Sequence, residues 1–464
     1  MLRAALLLLS ASLASAASDW PSFRGPNGSG VADATNLPVR FGPGENVIWK
    51  TALPGGQSSP VVAGERIFLT AFEGDKLLTI CLDHKTGKIA WQREAPRDRA
   101  TKTHGANTPT SPSPVTDGAS VFVFFEDFGL VAYGMDGNER WRRSLGPFNN
   151  PYGMAASPIL AGNTVLLLCD QDTNSFLIAV DADDGHVRWK TERPEATHGF
   201  STPVIYKGQV IVSGAHQVAA YSVETGERVW WVNGMAWQAK SIPVIDGDTL
   251  YVHSWMAAVS EIGIHDVRPF AQVLAERDTN HDGKLSKDEV ADPDMKTLWF
   301  LFDLNRDGFL DENEWKINQS RETATNGLFA IKLGGKGDVT ATHVLWRHER
   351  SLPNIPSPLL YKGVLYVLRE GGVVTTLDPK SGKVLKQGRL TGALDAYYAS
   401  PVAGDGKIYT VSQEGKLSVI QAGGQWEILA VNDMKEECWA TPAIADGSVY
   451  VRTKSALYRF GKGG

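Results

Sequence analysis

The sequence predicts an all-β fold, an eight-bladed β-propeller of four-stranded antiparallel blades with a small α-helical EF-hand insertion in blade five. Two observations support the propeller: a unit of four short apolar runs recurs along the chain, and most copies are spaced 40–45 residues apart. Repeats of that length with four strands each are typical of propeller blades. A third observation, the incomplete last copy, indicates how the ring closes.

The repeating unit is clearest between Ser59 and Trp91. It begins with Ser-Pro, turns at Gly64, and its runs are rich in β-branched and aromatic residues separated by turn residues, which favours an antiparallel meander. The opening proline recurs at Pro60, Pro114, Pro158, Pro203, Pro243, Pro358, Pro401 and Pro442. The closing aromatic recurs at Trp91, Trp141, Trp189, Trp230, Trp346 and Trp426, with Leu385 in the sixth copy. We expect these tryptophans to wedge between neighbouring blades.

The last copy, from Thr441 to Gly464, contains only three strand-like runs. Its missing outer strand is predicted to be residues 47–50, near the start of the chain. One blade built from both chain ends removes the open sheet edges of a linear array. The propeller is therefore expected to span residues 45–464.

The turn that precedes the closing tryptophan identifies a family. Asp83-His84-Lys85-Thr86-Gly87 is followed by Trp91, and Asp181-Ala182-Asp183-Asp184-Gly185 is followed by Trp189. This pattern resembles the repeat of the pyrroloquinoline quinone (PQQ) propeller family, and the resemblance covers nearly all of the chain from residue 45 except one insertion. It implies the fold but not an activity, because propellers have many unrelated functions.

Residues 1–16 are predicted to be a secretory signal peptide. Arg3 supplies the positive charge, residues 4–13 form an apolar core, and Ala14-Ser15-Ala16 offers a cleavage site. The apolar run is too short to span a bilayer, and no cysteine follows it for a lipid anchor. We expect a soluble protein, periplasmic or secreted, although an uncleaved anchor is the alternative.

The charge and the cysteine content restrict the expected partners and the expected role of disulfides. The formal net charge is −6 and no block of Lys and Arg interrupts the strands, so nucleic acid is not an expected partner. We expect a monomer. The three cysteines, Cys81, Cys169 and Cys438, do not form a disulfide framework, and buried structural roles are expected for them.

Residues 17–44 are predicted to be an irregular segment. Asp19 to Gly30 resembles an N-terminal signature of secreted bacterial PQQ-like propeller proteins, and its Pro and Gly residues disfavour a helix. Trp20 and Phe23 require a docking groove. We expect this segment to plug one end of the ring.

The connections from each outer strand to the next inner strand are expected to meet at one mouth of the central funnel. The candidate mouth residues are Gln57, His104, Asn107, Tyr152, Met154, His198, Trp237, Lys240, Asn354, Asp395, Tyr397, Tyr398, Glu437 and Trp439. Aromatic side chains with a few charges suit a planar or extended ligand. The alternative is that these side chains only fill the axis.

Two of these connections share Thr-His-Gly, at His104 and His198. A pair of histidines suits metal binding or proton transfer. Duplication of a blade loop explains the similarity equally well, and no third ligand with suitable spacing is present.

The insertion, residues 256–324, carries the most specific motif. Residues 278–289 and 303–314 match the EF-hand loop at every diagnostic position, and two such matches in tandem indicate two Ca²⁺ sites. The predicted ligands are Asp278, Asn280, Asp282, Lys284 (carbonyl), Ser286 and Glu289, then Asp303, Asn305, Asp307, Phe309 (carbonyl), Asp311 and Glu314. The second loop has one more carboxylate, through Asp311, and is expected to bind calcium more tightly.

The position of the insertion predicts where it lies. Residues 249–253 are the expected second strand of blade five, and residues 327–331 are the expected third strand. The loop between them is on the same face as the funnel connections. The EF-hand pair is therefore predicted to lie at the rim of the mouth.

Two functions are consistent with these features. The first is a calcium-binding scaffold whose funnel face binds an unidentified ligand or protein, similar in architecture to the eight-bladed propellers of outer-membrane assembly. The second is a PQQ-dependent dehydrogenase acting on an alcohol or sugar, with Trp237, Lys240 and Asp395 as cofactor-binding candidates. The family's alcohol dehydrogenases typically carry an adjacent Cys-Cys pair, which this sequence lacks. We therefore prefer the scaffold and assign no catalytic residue.

Overall fold

The computed structural model contains one antiparallel sheet for each of the eight predicted blades. It describes residues 19–256 and 266–462, so the predicted signal peptide lies outside the described residues. The strands of blades one to four are Val61–Ala63, Arg66–Glu73, Lys76–Asp83 and Ile89–Ala95; Val115–Thr116, Ser120–Phe125, Gly129–Gly134 and Glu139–Ser144; Ile159–Ala161, Thr164–Cys169, Phe176–Asp181 and Val187–Glu192; and Val204–Tyr206, Gln209–Ser213, Gln217–Ser222 and Arg228–Asn233. The prediction of repeated four-stranded blades is confirmed.

Blades five to eight continue the same order. Their strands are Val244–Asp246, Thr249–Ser254, Gly327–Lys332 and Val344–His348; Leu359–Tyr361, Val364–Arg369, Val373–Leu377 and Val384–Arg389; Val402–Gly404, Lys407–Val411, Lys416–Gln421 and Glu427–Asp433; and Ala443–Ala445, Ser448–Arg452, Ala456–Phe460 and Val47–Ala52. A short strand, Gly337–Asp338, adds to blade four in parallel.

The closing blade is built from both ends of the chain, as predicted. Val47–Ala52 pairs antiparallel with Ala456–Phe460, so the N-terminal strand is the outer strand of blade eight. This pairing joins the chain ends through backbone hydrogen bonds and leaves the last blade with four strands.

The Ser/Thr-Pro repeat forms a ring of hydrogen bonds around the axis. Six backbone N–H groups each donate to the side chain that precedes the proline of the next blade: Ser59 to Ser113, Ser113 to Ser157, Ser157 to Thr202, Ile242 to Ser357, Ser357 to Ser400 and Ser400 to Thr441, at 2.8–3.0 Å. Ile242 has no hydroxyl, and between blades four and five Ser201 Oγ donates instead to the carbonyl of Ser241. We call these hydroxyl residues the throat ring.

The repeated tryptophans join neighbouring blades farther from the axis. The Trp91 indole N–H donates to the Met135 carbonyl at 2.9 Å, and the Trp141 N–H donates to Ala182 at 2.8 Å. The glycine of the next blade's turn lies against the ring, and a Cβ at Gly185 would approach Trp141 to 2.6 Å. Gly185 also has a positive φ. Both facts explain why the turn and the tryptophan recur together.

The hydrophobic core is divided among the seams between blades. Phe122 and Phe124 of blade two, for example, pack with Val165 and Leu167 of blade three in one buried cluster. The three cysteines are buried and unpaired, as expected. The insertion has a separate core that includes Val273 and Trp315.

The N-terminal segment crosses the inner strands and fills the axis. Trp20 is fully buried and pairs with Val62 of blade one through two backbone hydrogen bonds. Asn27 exchanges two hydrogen bonds with the backbone of Ile205 in blade four. The segment therefore contacts opposite sides of the ring, which confirms the prediction of a plug.

The insertion consists of short helices with two loops between them. The helices are Phe270–Arg277, Pro293–Thr297, the 3₁₀ turn Trp299–Leu301, and Glu312–Glu322. The last helix begins at Glu312 because Asp311 and Glu314 form a capping box. Among the described residues, no helix is both long and apolar enough to cross a bilayer.

Candidate functional site

A cavity of about 320 Å³ opens on the propeller axis above the N-terminal plug. Its walls come from the connections between successive blades. The lining residues are Phe23, Gln57, Ser59, His104, Ala106, Asn107, Ser111, Ser113, Tyr152, Ala155, Ser157, Phe200, Gln238, Lys240, Asn354, Ile355, Tyr398, Trp439, Ala440 and Thr441. Several throat-ring members are among them, so the ring marks the floor of the cavity.

Eight of the predicted mouth residues line this cavity: Gln57, His104, Asn107, Tyr152, Lys240, Asn354, Tyr398 and Trp439. The sequence analysis missed Phe23, Phe200 and Gln238 as wall residues. Phe200 and Gln238 each lie within two residues of a predicted position, so the correct connections were identified but not every side chain that faces inward.

Other predicted mouth residues lie outside the cavity. Met154 is buried, and Tyr397 is buried with its hydroxyl donating to the Ala393 carbonyl. Asp395 accepts a hydrogen bond from the Glu414 backbone at 3.0 Å. Glu437 does not line the cavity, although it contacts the Trp439 indole N–H at 3.4 Å.

Trp237, predicted to lie at the mouth and to bind a cofactor, does not line the cavity. Its ring is 6% exposed, and it lies against the Arg321 guanidinium of the insertion at 4.5 Å. The ring also contacts His198, with centroids 5.0 Å apart. Trp237 therefore belongs to the contact between the insertion and the ring.

Lys240 is the one charged side chain among the cavity-lining residues that the structure describes. Its Nζ donates to Asn354 Oδ1 at 2.5 Å. Burial lowers the pKa of Lys240 to about 8, although Glu370 opposes this change. The ammonium group thus lies in a site where no lining carboxylate compensates its charge.

Aromatic rings form two sides of the cavity. The rings of Tyr398 and Trp439 lie with their centroids 4.3 Å apart on one side. Tyr152 contacts His104 at 5.1 Å and Phe200 at 5.9 Å on another. Such rings offer large apolar contact area at low entropic cost, while neighbouring amides and hydroxyls offer hydrogen bonds.

The two histidines of the shared Thr-His-Gly motif have different surroundings. His104 lines the cavity, and its Nδ1 accepts a hydrogen bond from the Ala106 backbone at 3.1 Å. His198 is buried, pairs with Asp172 through Nδ1 and contacts Gln238 through Nε2. Each ring contacts Tyr152, which separates their environments. The geometry does not indicate a shared metal site.

The cavity brings together only part of the predicted PQQ site. Of the three residues expected to hold PQQ, only Lys240 lines the cavity, while Trp237 and Asp395 lie elsewhere. Carboxylates are common among the oxygen ligands of Ca²⁺, and the described lining contains neither Asp nor Glu. The cavity instead presents amides, hydroxyls and rings around one ammonium group.

Two further buried cations lie close to the cavity wall. Arg24 is fully buried, and its Nη2 donates to the Pro358 carbonyl at 2.8 Å. Arg452 is 2% exposed, and its Nη1 donates to the Ser58 carbonyl and hydroxyl at 3.0 and 2.7 Å. Burial lowers the pKa of each guanidinium to about 9. Neither residue was predicted, because no local pattern marks an arginine that becomes buried only through distant contacts.

The two loops of the insertion fold in the same way. Asp278 accepts N–H bonds from Asp282 and Gly283 at 3.2 and 2.9 Å, and Asp303 accepts the equivalent bonds from Asp307 and Gly308 at 3.1 and 3.0 Å. Gly283 and Gly308 have φ values of 80° and 89°, which glycine adopts readily. The loops pair through Leu285 and Leu310.

The closing glutamates of the loops also have equivalent roles. Glu289 accepts an N–H bond from Thr279 at 2.9 Å, and Glu314 accepts one from Leu304 at 2.8 Å. The carboxylates are thus directed onto the backbone of their own loop. Among the described residues, the one group of three or more His, Cys, Asp or Glu side chains whose ligand atoms lie within 4.8 Å of one another is Asp181, Asp184 and His186, so the carboxylates of the two loops form no such group.

The insertion contacts the same face of the ring as the cavity, as predicted from its position in blade five. Arg321 lies between the rings of Trp237 and Phe302, at 4.5 and 5.1 Å. Leu301 packs on the buried cluster that contains Trp237 and Met256. We call this contact, formed by Trp237, Leu301 and Arg321, the junction. Trp237 and Lys240 belong to one connection, so the junction adjoins the cavity wall.

The sequence is similar to proteins of one family. The family profile described as "Outer membrane protein assembly factor BamB" matches residues 42–171 and 331–462. BamB of Yersinia pestis is 22% identical over 336 residues, which cover 67% of this chain and 75% of that protein. BamB of Shewanella oneidensis is 22% identical over 322 residues, which cover 64% and 79%.

Solved structures confirm the fold. BamB from Moraxella catarrhalis superposes with a TM-score of 0.56 at 12% identity, covering 89% of this chain and 98% of that chain. The quinohemoprotein alcohol dehydrogenase from Comamonas testosteroni superposes with a TM-score of 0.61 at 12% identity, covering 97% and 82%. At such low identity these likenesses establish the propeller architecture alone.

Proposed function

The chain belongs to the outer membrane protein assembly factor BamB family, and from this membership we propose that it is a non-catalytic scaffold that binds a protein segment in its axial cavity. Two calcium ions, held by an EF-hand pair, stiffen the rim of that cavity. The protein acts in the periplasm or outside the cell. Its family relatives are named for protein assembly, which supports a protein as the partner.

The chemistry of the cavity wall is the observation that carries this proposal. Rings, amides and hydroxyls from the blade connections surround a space that is closed below by the N-terminal plug. An extended peptide presents alternating apolar groups and backbone hydrogen-bonding groups, which such a wall satisfies. The described lining has no carboxylate to serve with His104 as a general-base pair.

The calcium assignment is supported by the matched geometry of the two loops. Ca²⁺ binds six to eight oxygens, and the loops supply carboxylates, amide oxygens and backbone carbonyls at the EF-hand positions. The residues that would hold the ions are the twelve predicted from the sequence. When bound, the ion supplies a fixed charge around which each loop is ordered, and the helices that pack through Trp315 maintain the loop spacing.

The location is supported by residues 1–16, which have the charge, apolar run and small residues of a signal peptide. Extracellular modules use calcium affinities of about 10⁻⁴–10⁻³ M, which suits permanently occupied structural sites. Calcium would then act as part of the fold, because its concentration outside the cell is commonly high enough to fill such sites.

A selection from a displayed library of random peptides tests the proposal. Full-length mature protein in millimolar calcium is the bait, and the Tyr398→Ala/Trp439→Ala double variant is the matched control. We expect peptides that bind the wild type and are lost on the control, whose folding is checked by thermal unfolding. Failure to enrich any peptide, or equal binding to both proteins, would overturn the scaffold.

A second measurement tests the cofactor alternative directly. The protein is mixed with PQQ and calcium, and the quinone spectrum and dye reduction are followed with a panel of alcohols and sugars. We expect no stoichiometric spectral change and no turnover. A stoichiometric change accompanied by turnover would replace the scaffold with a dehydrogenase.

A further inference from the structure

Three cationic side chains lie in or behind the wall of the axial cavity, and among the described residues none of them forms a salt bridge, although the charge of Glu370 acts on Lys240. Lys240 lines the cavity and donates to the neutral Asn354 side chain. Arg24 and Arg452 donate to backbone carbonyls and to a serine hydroxyl. Buried charges in proteins are usually paired, because an isolated charge in a low-dielectric site is costly.

Arg24 lies at the level of the throat ring, at the floor of the cavity. It follows Phe23, which lines the cavity, and its Nη2 binds the carbonyl of Pro358, the residue after Ser357 of the ring. Among the described residues, Nε and Nη1 of Arg24 have no hydrogen-bond partner. The guanidinium thus retains donors for a group that the chain itself does not supply.

Arg452 supports the cavity from behind another part of the wall. Its Nη1 binds Ser58, which lies between the lining residues Gln57 and Ser59. Within the described ranges its Nη2 is buried without a hydrogen-bond partner. The wall of the cavity therefore carries positive charge on several sides, opposed at Lys240 by Glu370, and an excess of positive charge in a concave, low-dielectric site attracts negative charge.

The remaining walls of the cavity indicate which chemical group a negatively charged ligand would carry beside its charge. Tyr398 and Trp439 form an apolar platform, and the volume of about 320 Å³ is at the lower end for ligand sites. A compact group with a ring or an aliphatic side chain beside an anion fits both features. A carboxylate accepts well from an ammonium group and from amide or hydroxyl donors.

We propose that the cavity binds the carboxylate of an organic acid, with Lys240 in contact with the carboxylate and the apolar part of the acid on Tyr398 and Trp439. This inference rests on the proposed function, since it names the ligand class of the same cavity. The acid comes from one of two sources, a free small molecule or the C-terminal end of a peptide. The two sources share the chemistry and are separated by the test.

The test measures binding of matched acids and amides by isothermal titration calorimetry. The small-molecule probes are N-acetyl-tryptophan and N-acetyl-tryptophanamide, and the chain-end probes are one hexapeptide with a free or an amidated C-terminus. We expect the acid of at least one pair to bind about tenfold more tightly than its amide, because a charge-assisted hydrogen bond is lost in the amide. High salt should reduce the difference.

Three variants identify the cation. Lys240→Met should reduce the preference for the acid to about twofold or less, whereas Lys240→Arg, which keeps the charge, should retain most of it. Lys380→Met, in an exposed turn of blade six, should leave the preference unchanged. Thermal unfolding of each variant establishes that it is folded before binding is compared.

The outcomes separate this inference from the scaffold itself. Equal binding of acid and amide to the wild type, or binding of neither, overturns the carboxylate site. Peptides selected on the cavity would in that case still support the scaffold. Acid-selective, Lys240-dependent binding of the small probe without any peptide binding supports the carboxylate site and overturns the scaffold for protein segments.

Discussion

The first and second loops of the insertion share one local structure but have different surroundings. In the second loop Asp303 and Glu314 are each 5% exposed. Asp278 and Glu289, the equivalent residues of the first loop, are partly exposed. The second loop also contacts the ring, where Asn313 Nδ2 donates to the Pro194 carbonyl at 3.1 Å.

The same difference changes the electrostatics of the closing glutamates. Burial raises the pKa of Glu314 to about 7, whereas the N–H and hydroxyl groups of Ser286 and Thr279 lower the pKa of Glu289 to about 2. The sequence pattern therefore determines the conformation of a loop. Tertiary contacts determine how strongly calcium binding in that loop affects the stability of the rest of the protein. The second loop is next to the junction, and the first is not.

Removing the closing carboxylate of each loop is expected to have the largest effect on calcium binding and on stability. Glu314→Gln should abolish the tighter calcium site and reduce the calcium-dependent stabilisation of the chain, by about 2.7 kcal/mol where free calcium is 100 times the dissociation constant. Glu289→Gln should abolish the weaker site with a smaller effect on unfolding of the ring. Calorimetric titration and thermal unfolding with and without calcium measure both.

The same titrations test the order of affinity expected from Asp311. Asp303→Ala provides an independent removal of the second site. Loss of the weaker site in Asp303→Ala, with the tighter site intact, would reverse the order. Equal effects of Glu314→Gln and Glu289→Gln on unfolding of the ring would show that contact with the ring does not distinguish the loops.

The predictions from sequence succeeded where a feature follows from a local pattern that repeats along the chain. The blade repeats, the closing strand and the position of the insertion follow from turn residues and periodic apolar runs. Trp237 was misplaced because its contact with Arg321 joins residues 84 positions apart, which no local pattern reveals. Arg24 was missed for the same reason, since its carbonyl partner Pro358 is 334 positions away.

Acidification is expected to destabilise the protein through His216, which lies beside the junction. Burial, assisted by the Arg321 charge, lowers the pKa of His216 from 6.5 to about 3. The unfolded chain therefore binds a proton that the folded chain does not bind between these values, so stability falls as the pH decreases from 6.5 towards 3. The loss is at most about 1.4 kcal/mol for each pH unit.

His216→Asn is the matched variant, since asparagine tolerates the φ of 64° found at this position. Its unfolding temperature should depend less on pH than that of the wild type between pH 6.5 and 5. The difference should be clearest in the helical signal of the insertion at calcium concentrations that fill both sites. Parallel pH profiles of the unfolding temperature for the two proteins would show that His216 does not cause the loss of stability in acid.

The smallest expected effect comes from one hydrogen bond between the second loop and the ring, that of Asn313 with Pro194. Asn313→Ala removes the Nδ2 donor to Pro194 and should destabilise the attachment of the insertion by about 0.5–1.5 kcal/mol. Asp288→Ala changes the equivalent, exposed position of the first loop and should have almost no effect. Hydrogen exchange of the helix Glu312–Glu322 measures the difference, because weaker attachment increases local opening. Equal exchange rates in both variants would mean that the Asn313 hydrogen bond does not contribute to holding the second loop on the ring.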